Sequence, residues 1–124
     1  MGQIIFVGLG GGLGAILRYL ISLLPYKGDF PVLTLMTNLA GAVLIGIITG
    51  LASGSGRLTQ KEVLFWKTGV CGGFTTFSTF SLEAWNLLEN GKTAAGLAYM
   101  LASVCFCIFG VYAGKMIGKT FLGL

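Results

Sequence analysis

The stretch Gly72-Gly73-Phe74-Thr75-Thr76-Phe77-Ser78-Thr79-Phe80-Ser81 sets five hydroxyls and three phenylalanines directly behind a glycine pair. It occupies a charge-free run from Thr68 to Leu82, with Lys67 just before it and Glu83 just after. Glycines and hydroxyls at such a place in an apolar run predict a helix that breaks locally. A break releases backbone carbonyls. Inside a membrane these must bond to water, to neighbouring protein or to a hard cation that prefers oxygen ligands, an alkali ion being the sharpest version. Beyond the break, Thr76, Thr79 and Glu83 recur at i, i+3, i+7, while Phe77, Phe80 and Ala84 fall on the adjacent face, so a polar stripe runs beside an aromatic one.

The rest of the chain supplies the membrane. Of 124 residues, 55% are hydrophobic and 10% charged, and the mean hydropathy is +0.89. A soluble domain carries nearer ~25% charged residues and needs them to cover a high surface-to-volume ratio. Further charge-free runs lie at Met1 to Leu17, Phe30 to Gly56 and Thr93 to Gly114. With ~20 apolar residues needed per crossing, they predict four spans near 3–24, 31–52, 62–89 and 94–118 in a single domain, 1–124. Pro25-Tyr26-Lys27-Gly28-Asp29-Phe30-Pro31, Ser53-Gly54-Ser55-Gly56-Arg57 and Asn90-Gly91-Lys92 read as the connections. The N-terminal run lacks a basic leader and continues through Arg18, as a retained first span would.

Charge and chemistry narrow the function. There is no histidine, and the acids Asp29, Glu62, Glu83 and Glu89 are scattered, which leaves little for acid–base catalysis or a transition-metal site, so an enzyme is not expected. The net charge of +4 comes from single residues between apolar stretches, which flank a membrane and make no nucleic-acid patch. Arg57, Lys115 and Lys119 fall on one side and Lys27 and Lys92 on the other, a slight bias compatible with insertion in both orientations. Cys71, Cys105 and Cys107 read as buried reduced thiols. Glycines at four-residue spacing (Gly10 and Gly14; Gly46 and Gly50; Gly110, Gly114 and Gly118) mark tightly packed helix faces.

Polar residues inside the spans are the candidate site. Arg18 has no acid nearby in sequence and is either a snorkelling end anchor or a functional cation. Asn38 lies in the apolar stretch Leu33 to Leu51, where its amide must face another helix or a wet pathway. Phenyl edges carry partial positive charge and hydroxyls and amides donate hydrogen bonds, so the stripes at Phe77, Phe80, Thr76 and Thr79 suit a desolvated anion. Tyr99, Ser103 and Cys107 share a face at i, i+4, i+8 and either line the same pathway or satisfy buried contacts. Gly10-x-Gly12-x-x-Ala15 with Asp29 downstream mimics a dinucleotide fingerprint, but Pro25 and Pro31 bracket the place of its second strand.

Gly10-Gly11-x-x-Gly14-Ala15-x-x-Arg18-Tyr19, Thr34-Leu35-x-x-Asn38-x-x-Gly41 and Gly72-Gly73-x-Thr75-Thr76-Phe77-Ser78-Thr79-Phe80-Ser81 together resemble the Fluc (CrcB) fluoride channel family along the whole chain. The departures are Thr37, where the family pattern has Val, and Val43, where it often has Phe. The resemblance implies an all-α integral membrane protein of four transmembrane helices, the third broken mid-membrane, working as an antiparallel dual-topology homodimer. It implies passive export of fluoride across the cell (plasma or inner) membrane, with a structural sodium ion at the dimer centre. Carried over by residue, Gly72 and Thr75 would give sodium-coordinating carbonyls, and Asn38, Phe77, Phe80, Thr79, Glu83, Ser103 and Arg18 would line the fluoride pathway. Fluoride, lipid and a second copy are the implied partners, with no nucleic acid. The rival is a small four-span proton-coupled multidrug or guanidinium exporter, which needs an acid in its first span where this chain has only Arg18.

Overall fold

The computed structural model describes residues 2–55 and 57–122. All regular structure among them is helical. We number the helices α1 (Gly2–Ser22), α2 (Val32–Ser55), α3 (60–74), α4 (Phe77–Glu89) and α5 (Thr93–Ile117). α3 is composite: α-helical over Gln60–Val63, π-helical over Leu64–Cys71 and α-helical again over Gly72–Phe74. A π-helical turn, Gly118–Leu122, continues α5. The helices spanning Gly2–Ser22, Val32–Ser53 and Thr93–Thr120 are each long and apolar enough to cross a membrane. α2 runs through Ser53 to Ser55, residues whose composition suggests a loop; Gly56, expected in the same loop, lies outside the described residues.

Local chemistry fixes the ends. Pro31 stands just before α2, where its missing N–H is no loss. Thr59 and Glu62 close a capping box at the start of α3: the Thr59 N–H donates to Glu62 Oε2 at 2.7 Å and the Glu62 N–H to Thr59 Oγ1 at 3.3 Å. α4 ends in a Schellman turn. Gly91 takes φ +78°, the Lys92 N–H donates to the Leu87 carbonyl at 2.8 Å and the Gly91 N–H to that of Leu88 at 3.1 Å.

The packing is inverted relative to a water-soluble protein. Ile4, Leu9, Ile16, Leu20, Phe106 and Phe109 point outward, while Gly10, Gly14, Gly46, Gly50, Gly110, Gly114 and Gly118 are buried. Lipid is as apolar as leucine, so contact between such helices comes from close backbone approach. Gly10 and Gly14 of α1 lie on the backbone of Gly69, Val70 and Gly73 in α3. Gly46 and Gly50 of α2 lie on Gly114 and Gly118. A methyl group at Gly69 would stand 2.8 Å from Gly10 Cα, and one at Gly114 would run into the Val43 carbonyl. A separate side-chain cluster of Leu35, Ala84, Leu87 and Tyr99, flanked by Phe30 and Phe80, joins α2, α4 and α5 near the Schellman turn. Of the three thiols only Cys71 is buried; Cys105 is exposed on the outer face of α5 and Cys107 is half-buried, which corrects the expectation of three buried cysteines.

Candidate functional site

Between α3 and α4 the backbone is extended at Thr75 (φ −82°, ψ 155°) and Thr76 (φ −147°, ψ 117°). The break follows the glycine pair and does not include it. Gly72 is helical with open space at its Cα, and Gly73 is pressed on the Gly11 carbonyl of α1, so Gly73 serves close packing. Thr76 accordingly caps α4 and is not part of its helical stripe.

Side chains from three elements take over the lost helical bonds. Asn38 holds both backbone groups of Thr76: Nδ2 donates to its carbonyl at 3.2 Å and Oδ1 accepts its N–H at 2.8 Å. Arg18 Nε donates to the Gly73 carbonyl at 3.2 Å. Thr76 Oγ1 accepts the Thr79 N–H at 3.1 Å, and the Thr75 hydroxyl donates to the Cys71 carbonyl at 2.8 Å. In a continuous helix the Thr76 N–H would serve the Gly72 carbonyl and the Thr79 N–H that of Thr75. Asn38 and Thr76 Oγ1 draw those two donors away, releasing the carbonyls of Gly72 and Thr75 from the helical ladder. Two freed carbonyl oxygens are a donor set for a hard cation. No group of three His, Cys, Asp or Glu able to hold a metal occurs among the described residues.

Two cavities adjoin the break and a third lies farther along α4. A cleft of about 480 Å³ is lined by Asn38, Gly72, Thr75, Thr76, Phe77, Phe80, Ser103 and Cys107, among others. Phe77 stands at its rim, 80% exposed. Ser103 Oγ is buried without a hydrogen-bond partner in the described structure, a costly state for a hydroxyl unless a ligand or water meets it. A crevice of about 210 Å³ brings Arg18 to the hydroxyl residues Thr34, Thr37, Thr76 and Thr79. A pocket of about 320 Å³ lies at the end where α4 turns into α5, lined by Asp29, Phe30, Glu83, Asn86, Asn90 and Lys92, among others.

Rings connect the cleft with this end pocket. Phe77 and Phe80 have centroids 5.5 Å apart at 48°. Phe80 and Tyr99 are 5.1 Å apart at 57°, and Phe30 meets Tyr99 edge-on at 5.5 Å and 76°. Tyr99, fully buried, donates its hydroxyl to Glu83 Oε1 at 3.3 Å. At the outer end Lys92 pairs with Asp29 and holds its carboxyl below the ordinary carboxylate range, by hydrogen bond first and charge second.

The residues singled out in the sequence therefore distribute over three neighbouring spaces. Asn38, Phe77, Phe80, Ser103, Gly72 and Thr75 share the cleft, Arg18 and Thr79 share the crevice, and Glu83 lines the end pocket. Arg18 is tied to the break by its hydrogen bond to Gly73 and is not a free snorkelling anchor. Thr34 and Thr37 are additional residues of the crevice; their i, i+3 spacing just ahead of Asn38 is the signal that marks them.

The fold and site define a class: all-α, multi-pass membrane proteins whose polar side chains converge on an interrupted helix. The family described as "CrcB-like protein, Camphor Resistance (CrcB)" matches residues 5–115. The "Fluoride-specific ion channel FluC" of Ruminiclostridium cellulolyticum is 46% identical over 121 residues, covering 95% of this chain and 93% of that one. The protein of the same description from Rhizobium meliloti is 45% identical over 117 residues (92% and 94%), and that of Methylobacterium nodulans 43% over 120 residues (95% of each). The chain belongs to the CrcB family.

Proposed function

We propose that this chain is a fluoride channel that passively exports the ion across the cell membrane. The observation that carries this reading, with the family, is the interrupted helix: clamped by Asn38 and Arg18, it presents hydroxyls and ring edges to a cleft that Lys67 also lines. A dehydrating anion needs hydrogen-bond donors in place of water. Ser103 offers a buried hydroxyl, Asn38 retains a second amide proton after serving Thr76, and Thr79 adds another hydroxyl. The edges of Phe77 and Phe80 supply partial positive charge where hydroxyls are absent. Arg18 keeps its terminal N–H groups after bonding Gly73 through Nε, so the threonine crevice carries a cation that favours entry of an anion. The proton-coupled exporter reading has no support at α1, which carries no Asp or Glu and whose one charged side chain is Arg18.

The functional unit in this reading is an antiparallel dual-topology homodimer. Gly72 and Ser78 are exposed beside the extended residues, and lipid cannot hydrogen-bond such backbone, so protein has to cover it. A second copy set antiparallel would bring its own break against this one. The carbonyls of Gly72 and Thr75 fit sodium, a hard ion that takes neutral oxygen ligands. When bound, the ion supplies positive charge that balances converging carbonyl dipoles, a structural role.

Efflux from proteoliposomes loaded with fluoride or with chloride, with valinomycin present and no pH gradient, tests the channel. Fast fluoride release with little chloride release is expected. Release of neither ion from vesicles holding folded protein would overturn it.

A further inference from the structure

We infer that Lys92 and Asp29 set the charge at a mouth of the fluoride pathway, a role that rests on the channel reading above. The pocket at the α4–α5 turn has Lys92 as the one cation among its lining residues, against the carboxyl groups of Asp29 and Glu83. Asn86 and Asn90 add neutral amides to the same wall. Glu83 of its lining accepts the hydroxyl of Tyr99, and Tyr99 packs against Phe80, so an ion leaving the aromatic ladder meets this pocket next. Two carboxyl groups alone would repel an anion there. Lys92 offsets them, and its position is built in twice: the Schellman turn fixes its backbone, and Asp29, on the loop between α1 and α2, holds its ammonium group. Asp29 in turn tempers Lys92, so that the mouth admits an anion without trapping it.

The test is the initial fluoride efflux rate of each variant relative to wild type, at two external ionic strengths. At about 0.01 M salt the screening length is ~30 Å, and at about 1 M it is ~3 Å. At low salt Lys92→Met is expected to slow efflux about two- to fivefold and Asp29→Asn to raise it by about twofold, with the double variant between them. At high salt the differences should shrink toward one, and Lys92→Arg should track wild type throughout. Size-exclusion profiles and melting in detergent check that each variant is folded. Equal rates for wild type and Lys92→Met at low salt, or a deficit that persists undiminished at high salt, would overturn the inference. A wild type that passes no fluoride would instead remove the channel reading, and the mouth with it.

Discussion

The two glycine seams and the break between α3 and α4 each let backbone run through a bilayer, by opposite means. At the seams Gly10, Gly14, Gly46, Gly50, Gly114 and Gly118 remove side chains so that satisfied helices touch directly. At the break the helix gives up its own bonds, and Asn38, Arg18 and Thr76 supply replacements from side chains. The seams are tight, since any side chain added there would meet backbone. The break is held by specific polar contacts in a medium that offers no other partner. The seams hold the helices together, while the break leaves hydrogen-bonding groups outside the helical ladder.

Breaking the seams should have the largest effect. Gly114→Leu places a branched side chain where even a methyl group meets the Val43 carbonyl, so α2 and α5 must part; loss of folded protein in a detergent melt is expected. Asn38→Leu comes next. It orphans the N–H and carbonyl of Thr76, at about 1–3 kcal/mol for each unsatisfied group, and should lower the melting temperature and abolish fluoride efflux together. Phe80→Ile sharpens the contrast from the other side: it keeps apolar bulk, touches no seam and removes the ring between Phe77 and Tyr99. Efflux should fall by about tenfold or more, on the order of 1.4 kcal/mol in barrier height, with the melt little changed. A variant that conducts normally would take the ring out of the pathway.

Smaller effects concern caps and loops. Thr76→Val removes the acceptor for the Thr79 N–H, a cap contribution of about 1 kcal/mol, readable in the melt and rescued by Thr76→Ser. The Asp29–Lys92 pair is solvent-accessible and joins loops, so its effect on stability is the smallest of all. Because the folded state lowers the Asp29 pKa, the contribution is present above the unfolded value and is lost as pH falls through the folded one. A slight melting-point decline below about pH 4 that Asp29→Asn removes is the expected record.

Much of this was legible in the residues. Charge-free runs locate the long helices because a bilayer excludes charge over a fixed thickness, and the hydroxyl-rich stretch locates the interruption within a few residues. Its cause was not legible. Gly72 and Gly73 look like the breaking point, yet Gly73 is helical because its bare Cα is what α1 requires, a fact that depends on Gly11 from a distant helix. The same holds for Asn38: its position in an apolar run predicts a polar partner, but that partner is the backbone of Thr76, which no side-chain pattern reveals. The π-helical run Leu64–Cys71 carries no local signal either, since bonds shifted by one residue are selected by what the helix packs against.

The double grip of Asn38 on Thr76 also fixes what lengths this chain can tolerate. Along α2, Asn38 engages the break while Gly46 and Gly50 seat on α5, two commitments made by one rigid rod. Inserting or deleting a single residue between Asn38 and Gly46 turns one commitment by about 100° relative to the other, so only one could survive. The segment 39–45 is thus a spacer of set length: single-residue insertions and deletions should be lost from a functional screen there while being retained in the 23–31 loop, whatever the amino acid added.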